Sequence, residues 1–279
     1  MIELLRPLFA RKSWNIRFSI SLTLPLRTFT MEGKKAPRRF APLDPAKNVG
    51  SDAPPLKGIV FDVDGTLCLP QTYMFAEMRA ALGIPKSTDI LDHIYALPTA
   101  AAQEAAMASI RAIEAAAMQT QEPQAGLLQL MRYLEGRGVR KGICTRNFDT
   151  PVNHLLSTFL HGQVFGPIVT RDFRPPKPHP AGILHIASQW GLDDGGSSLI
   201  MVGDSIDDMT AGFRAGAATV LLVNEVNAHL ATHEHTDLCI RRLDDLVPML
   251  EGGFCGSVGG GEEGTDTRAR AERALENSG

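Results

Sequence analysis

Short apolar runs that stop abruptly on a polar side chain recur along the chain. Gly58-Ile59-Val60-Phe61 stops at Asp62, Arg140-Lys141-Gly142-Ile143-Cys144 at Thr145, and Ser198-Leu199-Ile200-Met201-Val202 at Gly203-Asp204. Runs of this length without polar alternation read as strands buried on both faces, as in a parallel sheet. Residues 218–223 add a further strand, and weaker ones fall at 164–169 and 238–240. Between the strands the period changes to that of helices. Residues 123–137 place apolar side chains at 127, 128, 130, 131 and 134, closed by Gly136 and Gly138, and 148–160, 180–190 and 205–215 follow the same logic. Strands alternating with such helices predict right-handed crossovers and an α/β fold, a doubly wound parallel sheet.

One stretch breaks the alternation. Residues 68–122 carry no strand signal, and 100–118 are rich in Ala, Glu, Gln and Met, all strong helix formers. This predicts a small helical cap inserted after the first strand, over the strand ends where open α/β sheets bind ligands. Residues 31–56 read as a linker, with order expected from Leu56, and 251–279 as a disordered tail. The core is then 57–67 together with 123–250.

Of 279 residues, 44% are hydrophobic, enough for a sizeable core, and the formal charge is −3. The charge is uneven: residues 1–53 hold ten Lys and Arg against four Asp and Glu, so the remainder is net acidic. An acidic globular part argues against nucleic acid as a partner, since phosphate backbones require clustered positive charge. No apolar run approaches a membrane span. The four cysteines form no C-x-x-C pair, which leaves zinc without support and favours a reducing, intracellular setting. Residues 1–30 are basic, serine-containing and almost free of acids. Two readings stay open there: a mitochondrial transit segment, or a plain tail of a cytoplasmic protein in which Met31 can serve as an alternative start.

In a parallel sheet the polar strand ends Asp62, Thr145 and Asp204 converge on one edge, and Lys177, in a loop leading to a crossover helix, can reach the same place. Asp62-Val63-Asp64-Gly65-Thr66 sets two carboxylates at a strand end, where burial demands a compensating cation. Mg²⁺ takes such oxygen ligands, with Asp62 and Asp204 offering carboxylates from separate strands, and Gly65 permits the tight turn. A carboxylate facing a phosphate is a competent nucleophile, and a second carboxyl beside it can serve as acid and then base. Each fragment alone also fits an Asp-rich turn or a helix N-cap; four in order, each at a strand end or loop, do not.

These four elements, Asp62-Val63-Asp64-Gly65-Thr66, Thr145, Lys177-Pro178-His179-Pro180 and Gly203-Asp204-Ser205-Ile206-Asp207-Asp208, resemble the motifs of the haloacid dehalogenase superfamily, in its capped phosphatase branch. The resemblance covers about 57–250. It implies Asp62 as nucleophile and Mg²⁺ ligand, and Asp64 as general acid/base, lending its backbone carbonyl to the metal. It implies Thr145 and the amide of Arg146 as holders of the phosphoryl group, with Gly65 and Thr66 beside it. Lys177 would balance charge and fix the nucleophile, Asp204 would bind Mg²⁺, and Asp208 would orient Lys177 or a metal water; Asp207 is expected as solvated loop. The implied activity is hydrolysis of a small-molecule phosphate monoester, such as a sugar phosphate, a nucleotide-like compound or another phosphorylated metabolite. A phosphosugar mutase and a non-catalytic binding protein of the same fold are the rivals; a dehalogenase would have no use for Asp64. The Arg146 and Asn147 side chains fit either a substrate contact or a cap of the next helix. His179 is expected as a structural turn residue, Cys68 and Tyr73 as buried in the cap, and the stretch with His229, His233, Glu234, His235 and Asp237 as exposed loop. Oligomeric state leaves no mark in the sequence.

Overall fold

The computed structural model describes residues 37–71 and 73–256, so the expected targeting segment and most of the tail lie outside the described residues. The chain runs β1 (Arg38–Phe40), β2 (Gly58–Phe61), α1 (Tyr73–Leu82), α2 (Ile90–Ala96), α3 (Ala100–Met118) and α4 (Leu127–Gly136). It continues β3 (Arg140–Cys144), α5 (Asp149–Phe159), β4 (Ile168–Val169), α6 (Ala181–Gln189), β5 (Leu199–Gly203) and α7 (Ile206–Ala215). Last come β6 (Ala218–Leu222), β7 (Leu238–Ile240), α8 (Leu246–Gly252) and β8 (Phe254–Gly256).

Six of the strands form one parallel sheet in the order β4-β3-β2-β5-β6-β7. Alternate residues of each strand serve opposite faces. Ile59, Phe61, Ile200 and Val202 join α4, α5 and α8 on one side, through Leu130, Leu134, Val152, Leu155 and Leu246. Val60, Leu199 and Met201 join α6 and α7 on the other, through Ile183, Ile186 and Ala211. This is the doubly wound arrangement read from the apolar runs. Phe61 sits level with Ile143 and with Val202, so Asp62, Thr145 and Asp204 emerge at the same edge. The chain leaves β2 toward β3 and β4, then returns to β5 on its other side, which makes β2 and β5 the flanks of the sheet's reversal point.

The insert is a three-helix cap. Ala106, Met107, Ile110, Glu114 and Ala117 give α3 one buried stripe, which meets Met74 and Met78 of α1 and Ile90, Leu91 and Ile94 of α2. Thr99 and Asp89 cap α3 and α2 by accepting from Ala102 N and from Leu91 N and Asp92 N. Among the described residues no helix is long and apolar enough to cross a membrane.

Two boundary expectations are corrected. Order begins before Leu56, because Arg38–Phe40 forms a strand rather than linker, and the tail is structured at least to Gly256. β1 pairs antiparallel with β8, and the Phe40 and Phe254 rings meet with centroids 5.7 Å apart, both nearly fully buried. Three-residue strands have too little period to be legible, and their pairing joins distant segments. Burial of Phe254 predicts that Phe254→Ala lowers unfolding free energy by about 3–5 kcal/mol. Urea denaturation measures this; a loss under about 1 kcal/mol would show that the clasp contributes little to the fold.

Candidate active site

Asp62 leaves β2 with its N–H still bonded to Val202 O at 3.0 Å, so the strand itself aims the side chain. Its Oδ1 accepts from Lys177 Nζ at 2.7 Å. The same ammonium donates to Asp208 Oδ1. Asp208 is fully buried in the first turn of α7, where its Oδ2 accepts from Ser205 N at 3.0 Å and Ser205 Oγ at 2.6 Å in a capping box. A helix start therefore fixes Asp208, which fixes Lys177, which fixes Asp62.

After Asp62 the backbone turns sharply. Val63 O accepts from the N–H groups of Thr66, Leu67 and Cys68, and Gly65 adopts φ +82°. A Cβ on Gly65 would lie 2.2 Å from Asp204 Oδ2, so this position must be glycine for conformation and for space alike. The turn presents Asp64, whose Oδ1 accepts from Gln71 N at 3.3 Å. Gly65 and Thr66 do not face the cleft as expected of phosphate contacts. Thr66 is wholly buried, with an Oγ1 that has no hydrogen-bond partner, and its place is behind the turn.

Asp204 follows β5. Its carbonyl accepts from Asn227 Nδ2 at 2.6 Å, and Asn224 Nδ2 lies 3.5 Å from Oδ2. Both asparagines were missed from sequence, although they are polar residues just past a strand end, the signal that marked the other site residues. One oxygen each of Asp62, Asp204 and Asp208 falls within 4.8 Å of the others. Lys177 is the one ammonium in this group, and it is committed to Asp62 and Asp208. Burial, with Asp208, Asp62 and Asp64 adding negative charge, pushes Asp204 up to about 8. Burial and the Asp62 charge push Asp64 up to about 7. Burial lifts Asp62 to about 6 against the downward pull of Lys177. Burial alone would lower Lys177, but Asp208 and Asp62 raise it, so it stays protonated. Buried carboxylates short of one cation, all with hard oxygen donors, fit a divalent ion of the Mg²⁺ type. Asp208 has its oxygens engaged, which leaves Asp62 and Asp204 as the side chains free to bind it.

Thr145, buried beyond β3, accepts at Oγ1 from Asn147 N at 3.2 Å. The Arg146 side chain lines the cleft and does not cap the next helix, α5. It bridges Asp207 of α7 and Asp89 of the cap, each at 2.6 Å. Asp207 is thus an ion-pair partner in a helix rather than solvated loop.

Arg171, also missed, is 5% exposed. Its Nε donates to Arg146 O at 2.8 Å and its backbone N–H to Asn147 O at 3.0 Å. Its Nη2 pairs with Glu114 of α3, and its plane lies 3.8 Å from the Phe148 ring centroid. An acid on the apolar stripe of α3 was the one available signal for this pair. Burial pushes Glu114 up to about 7, with Arg171 opposing. A cleft of about 310 Å³ opens between sheet and cap, lined by Asp62, Asp64, Thr145, Arg146, Lys177 and Asp204 together with cap residues.

The other candidates lie away from the chemistry. Cys68 is buried, donating to Val63 O at 3.4 Å, and burial with the Asp64 and Asp62 charges pushes its thiol up to about 12. Tyr73, expected inside the cap, is 49% exposed, with its hydroxyl 3.3 Å from Thr120 Oγ1. His179 is a turn residue as expected, its Nδ1 accepting from Ala181 N. The histidine stretch is only partly exposed loop: His235 stacks on Phe213 at 4.2 Å, and Asp237 is buried and accepts from Thr219 N.

A protein-family model described as haloacid dehalogenase-like hydrolase matches residues 56–216. The chain is 48% identical over 199 residues to an uncharacterized hydrolase of Saccharomyces cerevisiae, covering 70% of this chain and 90% of that one. It is 29% identical over 150 residues to phosphoglycolate phosphatase 1 of Pseudomonas aeruginosa, covering 53% and 54% respectively. A crystal structure of a HAD hydrolase of family IA from Entamoeba histolytica superposes with a TM-score of 0.59 at 18% identity, over 70% of this chain and 97% of that one. With its matched region, its parallel sheet and its inserted cap, the chain belongs to the haloacid dehalogenase-like hydrolases.

Proposed function

We propose that the protein is a magnesium-dependent phosphatase that hydrolyses a small-molecule phosphate monoester through an aspartyl-phosphate on Asp62. One observation carries this reading: Asp62 is held by Lys177, itself anchored on Asp208, in a cleft Asp62 shares with Asp64, Thr145 and Asp204. Asp62, Asp204 and the backbone carbonyl of Asp64 would hold Mg²⁺, which when bound neutralises charge on the phosphoryl oxygens.

A carboxylate oxygen of Asp62 attacks phosphorus and the bond to the leaving oxygen breaks. Asp64 gives its proton to the departing alkoxide. Water then attacks the phosphorus of the acyl phosphate, returning a proton to Asp64 and releasing Asp62 with inorganic phosphate. Thr145 and the amide of Arg146 hold the non-reacting phosphoryl oxygens, while Lys177 keeps Asp62 aligned. Asp64 suits both halves because burial and the Asp62 charge raise its pKa to about 7, so that near neutral pH it both holds and gives up a proton. The phosphatase relative and the small cleft support the hydrolase reading.

Asp62→Asn is expected to abolish turnover of an aryl phosphate, and chelation of Mg²⁺ to remove the wild-type activity reversibly. Steady-state assays check both, and residual magnesium-dependent turnover in the variant would remove Asp62 as nucleophile. Asp64→Asn should lower kcat/KM for an alkyl phosphate by about 10²–10⁴-fold and for p-nitrophenyl phosphate far less, because nitrophenolate leaves without a proton. The pH profile carries the same sign. An acid raised to about 7 donates below that pH and not above it, so alkyl-ester kcat/KM should fall as pH rises through about 7 while the nitrophenyl ester's does not. Equal losses for both leaving groups would contradict the acid role.

A further inference from the structure

Four basic side chains line the cleft, and three of them are spoken for. Lys177 is bonded to Asp62 and Asp208, Arg146 to Asp89 and Asp207, and Arg171 to Glu114. Arg79 has no carboxylate within ion-pair distance among the described residues. It stands on α1, where Phe75, Met78 and Arg79 follow the three-and-four spacing of one helix face, and that face forms the cap wall of the cleft. The cap wall is otherwise mostly apolar, with Ile90 and Leu91 beside it, and its one acid, Asp89, is held by Arg146.

Among the described residues, the only hydrogen bond of the Arg79 guanidinium runs from Nη1 to Phe75 O at 3.3 Å, within its own helix. Its Nε is buried without a partner among the described residues. Nε and Nη2 form the edge of a guanidinium that grips a carboxylate or phosphate side-on through two parallel bonds. On the core side, Arg171 likewise keeps a buried Nη1 without a partner. A buried N–H with no acceptor is costly unless a ligand supplies one.

We propose that Arg79 binds a second anionic group of the substrate, so that the protein acts on small phosphate esters bearing a carboxylate or a second phosphate at their far end. This rests on the phosphatase reading above. The transferring phosphoryl group occupies the strand-end side, with Asp62, Thr145 and Lys177, and the far end of the ester meets the cap wall. A cleft of about 310 Å³ lies at the small end of ligand sites, so the spacer between the two anions is a few atoms long.

The test compares three esters on the full-length protein: phosphoglycolate, which ends in a carboxylate; 2-hydroxyethyl phosphate, of the same length but ending in a hydroxyl; and ethylene glycol bisphosphate. Wild type should favour at least one anion-ended ester over the hydroxyl ester by about tenfold or more in kcat/KM. The favoured member tells carboxylate from phosphate. In Arg79→Gln this ratio should fall close to one, and Arg79→Lys should keep part of it. The ratio is independent of the fraction of folded enzyme, so a merely destabilised variant does not imitate the effect. A wild-type ratio near one, or a ratio unchanged in Arg79→Gln, would overturn the proposal. Absence of turnover on every ester and on an aryl phosphate would instead fail the phosphatase reading. Calorimetric titration of the same esters then decides this inference: tighter binding of an anion-ended ester, lost in Arg79→Gln, supports it. Equal binding, or none, overturns it.

Discussion

The buried ammonium of Lys177 holds the site together. It lies among carboxylates that would repel one another without it, and it bonds Asp62 on one side and Asp208 on the other. Its two anchors come from different parts of the chain, one at the end of β2 and one in the first turn of α7. The geometry of Asp62, the proposed nucleophile, is thereby referred to a helix N-terminus as well as to a strand. The ammonium does not balance the whole group, since Asp204 and Asp64 remain half-buried beside it. That residual negative charge suits the divalent cation proposed for the site and raises the proton affinity of Asp64, its proposed acid.

Arginines perform the corresponding task between core and cap. Arg146 reaches from the residue after Thr145 to Asp89 at the start of α2, and Arg171 reaches from the end of β4 to Glu114 on α3. Arg171 also bonds the carbonyl of Arg146 and, through its own N–H, that of Asn147. The loop proposed to receive the phosphoryl group is therefore tied to the same side chain that meets the cap. An ion pair this deeply buried contributes to stability mainly by making its own separation costly. It fixes the cap's position relative to the strand ends, and with it the wall on which Arg79 stands.

Much of this was legible from sequence, and for a definite reason. Strands buried on both faces are continuous apolar runs, so the polar residue at which each run stops is conspicuous, and register in a parallel sheet brings those stops together. Asp62, Thr145 and Asp204 were readable on that ground, and the helical insert by its lack of any strand. The pairs Arg146–Asp207 and Arg171–Glu114 were not, because contacts across some sixty positions leave no period. Thr66 was misread because a hydroxyl beside two strand-end carboxylates resembles a ligand, whereas the turn at Gly65 rotates it into the interior. The β1–β8 clasp escaped because three residues are too few to show alternation.

The central claim is that phosphorus passes through Asp62. Acid quenching of the enzyme during turnover of a phosphate ester, followed by mass spectrometry of the peptides, tests it directly. The account predicts a peptide containing Asp62 heavier by one phosphoryl group, labile to hydroxylamine and absent from Asp62→Asn. A phosphoryl group found on another residue during turnover, or turnover with no phosphorylated enzyme under conditions where its breakdown is rate-limiting, would contradict it.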